Sequence, residues 1–135
     1  MSRSGYSEDC DNLGLWRGAV RKAVTGKRGK AFLQEMLDAL DALPQKRLIT
    51  QALQDGCEVC AIGSVGLKRG MDMSKMDVTD HELLGEEFGI ARVLVAEIEF
   101  VNDDDFGYNR DRTPEQRFER VRNWVSDMLS GGDPG

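Results

Sequence analysis

Three places along the chain carry side chains able to do chemistry. Cys57-Glu58-Val59-Cys60 sets two thiols at the C-x-x-C spacing shared by zinc sites and dithiol redox centres. A zinc site needs four ligands. Besides this pair the sequence offers only Cys10, the single histidine His81 and carboxylates, none at a standard spacing. A thioredoxin-like centre would open a helix after a strand in a β-α-β alternation, and that alternation is missing. Cys60 alone is a better candidate nucleophile, because backbone N–H groups at the start of a helix over Ala61–Leu67 would favour its thiolate. No base lies near it in the sequence, so a small buried apolar residue is the favoured reading of Cys60. Asn102-Asp103-Asp104-Asp105 has the carboxylates of a cation loop but not its spaced ligands or closing glutamate. Gly26-Lys27-Arg28-Gly29-Lys30 lacks the spacing and the Ser/Thr of a phosphate-binding loop. No metal or cofactor is expected. Cys60 with Asn102 and Asp103 stands as the candidate small-ligand site.

Charge supplies the other functional signal. The net charge is −6, from 18 Lys+Arg against 24 Asp+Glu, and it is unevenly spread. Arg17 to Lys30 holds six basic residues and no acid, whereas Met71 to Asp105 holds eleven acids against Lys75 and Arg92. Such segregation suggests one surface that attracts anions and another that repels them. Glu86, Glu87, Glu97 and Glu99 are expected on exposed sides of two consecutive helices, as an acidic partner-binding face. Arg21, Lys22, Lys27, Arg28 and Lys30 form the alternative, basic face. An acidic chain is a poor candidate for coating nucleic acid, which needs many cations on one footprint.

These residues need elements to hold them. A helix from about Asn12 to Val24 places Leu13, Trp16, Val20 and Val24 near one face. Phe32, Leu33, Met36, Leu37, Leu40 and Leu43 stripe a second helix, which Pro44 stops. Gly26 to Lys30 is either a tight turn before it or its first turn. Lys46 to Cys60 reads equally as strand or helix, with a turn at Asp55-Gly56. Small residues from Ala61 to Leu67 point to a closely packed helix. Thr79-Asp80-His81-Glu82 fits a capping box with Thr79 as N-cap of a helix ending at Gly89. A further helix is predicted over Ala91–Val101, then a polar loop over Asn102–Arg112. Thr113-Pro114-Glu115-Gln116 opens the last helix, striped by Phe118, Val121, Val125 and Met128 with Trp124 and Leu129 alongside. The fold class is mainly α: a compact single-domain bundle of about five to six helices with at most a small β-hairpin. A mobile arm over 1–11, a helical domain over 12–129 and a mobile tail over 130–135 are expected.

Leu84 to Ile98 also matches the packing pattern of a helix-turn-helix. Leu84 and Phe88 take the inner positions, Gly85 the close approach, Gly89 the turn and Ile90 its plug, while Val95 and Ile98 pack back. The outward positions of its second helix would be Ala91, Arg92, Val93, Ala96, Glu97 and Phe100. Only Arg92 among them suits DNA, and the surrounding glutamates would repel phosphates. A DNA-binding regulator is therefore an alternative rather than the leading reading.

Hydrophobic content of 40% and charged content of 31% place the 135 residues among globular domains, without an apolar run near the ~20 residues of a membrane span. A polar N-terminal stretch offers no signal-peptide core, so a cytoplasmic location is expected. Several segments resemble a family of small uncharacterised non-virion proteins of tailed bacteriophages and prophages. They are Ser4-Gly5-Tyr6-Ser7-Glu8-Asp9-Cys10-Asp11, Trp16-Arg17-Gly18-Ala19-Val20, Gly29-Lys30-Ala31-Phe32-Leu33, Cys60-Ala61-Ile62-Gly63-Ser64, Asn102-Asp103 and Thr113-Pro114-Glu115-Gln116-Arg117. Cys57 departs from that pattern, which implies that the C-x-x-C is accidental. The resemblance brings a setting, the cytoplasm of the infected host cell, and no reaction. Together with the charge pattern it gives a non-enzymatic protein that binds and modulates a host protein, in a defence or nucleic-acid-processing system. Nucleic acid is the less favoured partner, no membrane is expected, and the oligomeric state is left open.

Overall fold

Helix α1 spans Leu13–Thr25 and α2 spans Lys27–Ala42, so Gly26 alone separates them and the basic Gly26–Lys30 stretch becomes the first turn of α2. Apolar residues at three-to-four spacing in α2 bury Phe32, Leu33, Met36, Ala39 and Leu40, while Gln34 and Asp38 face water. Leu37 lies at the edge of this stripe, half-buried. The structure is a computed structural model that describes residues 13–103 and 113–131, with side chains from residue 18 onward. The expected arm over 1–11, residues 104–112 of the expected loop, positions 132–135 of the tail, and the side chains of Leu13, Trp16 and Arg17 lie outside the described residues.

The ambiguous Lys46–Cys60 stretch holds no helix. It contains a two-stranded antiparallel hairpin, β1 (Gln54–Asp55) and β2 (Glu58–Val59), turned at Asp55-Gly56 as the sequence suggests. The segment before it is tied down by backbone bonds, from Leu48 N–H to the Pro114 carbonyl (3.1 Å) and from Ile49 N–H to the Val59 carbonyl (3.0 Å). Gln51 there takes a left-handed backbone, φ 63°. Helix α3 (Ala61–Arg69) follows directly, and its small residues do what their density implied. Gly63 packs so tightly on the Leu53 carbonyl that a Cβ there would collide with backbone.

Helix α4 (His81–Phe88) starts one residue later than the capping-box pattern predicts. Its N-cap is Asp80, whose carboxylate accepts from Leu83 N–H at 3.0 Å. Thr79 is engaged elsewhere, donating its hydroxyl and N–H to Asp77 (2.6 and 2.9 Å), which leaves capping to the next oxygen-bearing residue. Helix α5 (Arg92–Asp103) runs two residues beyond the predicted Val101, so Asn102 and Asp103 belong to its last turn rather than to a loop. Helix α6 (Pro114–Leu129) has the expected capping box in full: Thr113 Oγ1 accepts from Gln116 N–H, and the Gln116 side chain accepts from Thr113 N–H.

These six helices among the described residues make the mainly-α fold the sequence predicts. Their core is one cluster running from Val20 to Met128. Helix α5 lies at its centre, packed against α1, α3, α4 and α6, while α2 bridges α1, α3 and α6 on the outside. Every residue from Leu94 to Asn102 is buried.

Candidate functional site

The helix-turn-helix packing is present and serves the core. Leu84, Phe88, Ile90, Val95 and Ile98 are all buried, and a Cβ on Gly85 would come within 2.7 Å of the Ile90 carbonyl. Gly89 makes the turn at φ 76°. The outward positions are where the expectation fails. Ala96, Glu97 and Phe100 are buried, and of the expected reading surface only Arg92 is exposed, with Ala91 and Val93 intermediate. A helix walled in on several sides cannot enter a DNA groove.

The same burial removes half of the expected acidic face. Glu97 is 5% exposed and Glu99 0%, whereas Glu86 and Glu87 are exposed as predicted. The physical reason is legible in hindsight: six of the eight residues from Leu94 to Val101 are apolar, the mark of a helix covered all round. A buried carboxylate needs a partner. Glu99 Oε1 has one in His81 Nε2 at 2.8 Å, so the only histidine fastens the first turn of α4 to the central helix. The exposed acidity shifts to residues 72–87. Asp72, Asp77, Asp80, Glu82, Glu86 and Glu87 there face solvent with Lys75 as the sole lysine or arginine. Hydrogen bonds from Ser74 to Asp72, and from Thr79 to Asp77, hold both carboxyls below the usual range.

Arg21, Lys22, Lys27, Arg28 and Lys30 are all exposed around the α1–α2 junction. Gly26 caps α2 without a side-chain bond, and its first turn contains no acid. The two charged surfaces meet at one edge. A surface hollow of about 360 Å³ is lined by Arg28 and Glu35 of α2, Arg69 of α3, and Glu86 and Glu87 of α4. Its floor is built. Arg69 donates from Nε and Nη2 to both Glu35 oxygens (2.7 and 2.6 Å) and sits 5.9 Å from the ring centroids of Phe32 and Phe88. Those rings meet edge to face at 6.3 Å. The bond to Arg69 holds the Glu35 carboxyl below its ordinary range and raises the Arg69 guanidinium.

Cys60, Asn102 and Asp103 are brought together, and what they build is a joint. Cys60 is wholly buried at the N-cap of α3, with Sγ accepting from Gly63 N–H at 3.4 Å. Asn102 Oδ1 accepts from Ala61 N–H (3.0 Å), while its Nδ2 donates to the Ile49 carbonyl (2.9 Å) and to Asp103 Oδ1 (2.6 Å). Asp103 Oδ2 accepts from Gln51 Nε2 at 3.2 Å. Across this joint Arg117 of α6 donates to the Leu48 carbonyl at 2.8 Å, and its burial lowers its pKa. A thiol with no exposed surface and a spent lone pair is a packing residue, as the favoured sequence reading has it. Cys57, by contrast, is exposed on the rim of a separate hollow of about 340 Å³ beside the Arg47–Glu58 ion pair. No group of three or more potential metal-ligating side chains occurs among the described residues.

Sequence reasoning missed Arg69 and Glu35, for which only the long-range fold supplies a signal. None of the described helices is long and apolar enough to cross a membrane. Comparisons with protein-family models, with curated proteins and with solved structures give no match to the chain.

Proposed function

We propose that this chain is a non-enzymatic interaction protein of a tailed phage or prophage, which binds and modulates a host protein in the cytoplasm of the infected cell. A defence or nucleic-acid-processing assembly is the kind of host machinery such a protein would meet. The observation that carries the reading is charge segregation on the folded surface. Five exposed cations crowd the α1–α2 junction, and six exposed carboxylates line residues 72–87. Patches of one sign steer encounter with a complementary surface and discriminate against wrong partners. Glu97 and Glu99 drop out of the working surface, so Glu86 and Glu87 carry the acidic version of the proposal.

The test compares two charge-reversed sets for capture of protein from bacterial lysate at low and high salt. Glu86→Lys with Glu87→Lys should release the partner most at low salt if the acidic edge works. Lys27→Glu, Arg28→Glu and Lys30→Glu should do so if the basic tip works. Loss in neither set refutes the proposal.

One observation favours a second reading. Three cations in the first turn of α2, where the helix dipole is positive and no acid offsets it, suit a phosphate backbone. Duplex DNA retained at low salt, and released by the basic set alone, would establish that reading in place of the first.

A further inference from the structure

The hollow between α2 and α4 is electrically two-sided, and this defines what fits it. Arg28, Ala31, Phe32 and Glu35 lie at i, i+3, i+4 and i+7 along α2 and form one bank; Glu86 to Gly89 form the other. Between them Arg69 and Glu35 neutralise each other, so the floor adds no net charge. What remains is Arg28 on one bank and Glu86 with Glu87 on the other. No side chain of these three makes a hydrogen bond or ion pair among the described residues. Beyond the hollow each bank continues in its own sign, through Lys27 and Lys30 on one side and Glu82 on the other.

We infer that this hollow receives a helical segment of the partner protein carrying a basic and an acidic side chain one turn apart, the base toward Glu86 and Glu87 and the acid toward Arg28. The inference rests on the interaction-protein reading and goes further by stating the partner's chemistry. On a helix, residues four apart lie on one face with about 6 Å of rise between them, so two such side chains can enter one surface hollow together while the helix stays above it. A single-sign segment would satisfy one bank and be repelled by the other. The Phe32–Phe88–Arg69 floor is already assembled without a bound partner.

The experiment titrates the full isotope-labelled chain with three alanine-based helical peptides, followed by amide shifts. One bears Glu and Lys at i and i+4, one bears only Lys and one only Glu, all at equal ionic strength. The paired peptide should move the amides of Ala31, Phe88 and Gly89 and bind about fivefold tighter than either other peptide, the factor that one surface ion pair supplies. Arg28→Glu alone, and Glu86→Lys with Glu87→Lys, should each abolish that preference; Asp55→Asn with Glu119→Gln, exposed and outside both the hollow and the acidic edge, should leave it intact. Circular dichroism verifies that each variant is folded. Equal binding of the Lys-only peptide, shifts confined to other surfaces, or no binding overturns the inference. If the paired peptide fails while charge reversal still releases the host protein, the hollow assignment falls and the interaction-protein reading stands.

Discussion

Replacing Asn102 tests the joint between α5, α3 and the 48–53 segment. In Asn102→Ala the Ala61 N–H, on a residue with no exposed surface, loses its acceptor. An orphaned buried donor costs about 1–3 kcal/mol. The Ile49 carbonyl, on a half-buried residue, also loses its donor, but water reaches it more readily, so a further ~1 kcal/mol is a fair charge. The sum is about 2–4 kcal/mol, which for a chain of this size lowers the melting temperature by roughly 6–20 °C. Asn102→Asp separates hydrogen bonding from shape. It keeps the acceptor for Ala61 but sets a carboxylate against the Ile49 carbonyl and the Asp103 carboxylate. Burial and that neighbour raise the folded-state pKa of the introduced group above its unfolded value. The folded form then binds the extra proton more tightly, so the deficit is largest at neutral pH and shrinks as pH falls through the raised pKa. Urea denaturation of both variants at pH 7 and pH 4.5 measures this. The alanine deficit should hardly change and the aspartate deficit should shrink. An alanine variant within about 0.5 kcal/mol of the parent would refute the reasoning, as would an aspartate deficit that grows with acidity.

Other perturbations probe separate parts of the argument. Leu40→Ala, at a fully buried site, should cost about 2–5 kcal/mol, and Leu37→Ala, half-buried, clearly less; equal losses in urea titration would mean the α2 stripe is misplaced. Gly63→Ala should destabilise by about 2–3 kcal/mol because the new methyl meets the Leu53 carbonyl. Gly18→Ala, with open space around it, should stabilise by about 0.5–1 kcal/mol, as alanine does in a helix. Glu35→Gln should remove about 1 kcal/mol at pH 7, the contribution of an ion pair largely screened by solvent. Since the folded Glu35 pKa is depressed, that contribution is present above its ordinary 4.5 and is lost as pH falls through the lower folded value, so parent and variant should converge in acid. In a Cys10→Ser background a thiol reagent should titrate Cys57 in the native protein and Cys60 only after unfolding.

Elements with strong local signals were readable from the sequence. Helices α2 and α6 follow from apolar spacing together with Pro44 and the Thr113–Gln116 box, and the Leu84–Ile98 packing follows from two glycines at the right offsets. What local pattern could not show is which faces get covered. Glu97 and Glu99 look like surface charge beside Glu86 and Glu87, until α1, α3, α4 and α6 surround α5. Thr79 lost the cap to Asp80 because Asp77 competes for it at two-residue range, a contest that the box pattern ignores. The joint at Asn102 spans 41 residues to Ala61 and 53 to Ile49, so nothing in the neighbourhood of Asn102 marks its role. The exposure of the five basic residues was legible because they lie close together in sequence around Gly26. The hollow was not, since its walls come from three separate helices.

The central position of α5 makes the domain indivisible. A helix that touches α1, α3, α4 and α6 shares its surface among segments from both halves of the chain, so no contiguous fragment can bury it. Cutting away either α1 or α6 would wet an apolar flank of α5. Limited proteolysis should therefore yield either the intact domain or short peptides, with no stable subdomain between. Any binding surface the protein offers is thus carried on a scaffold that is either wholly formed or absent.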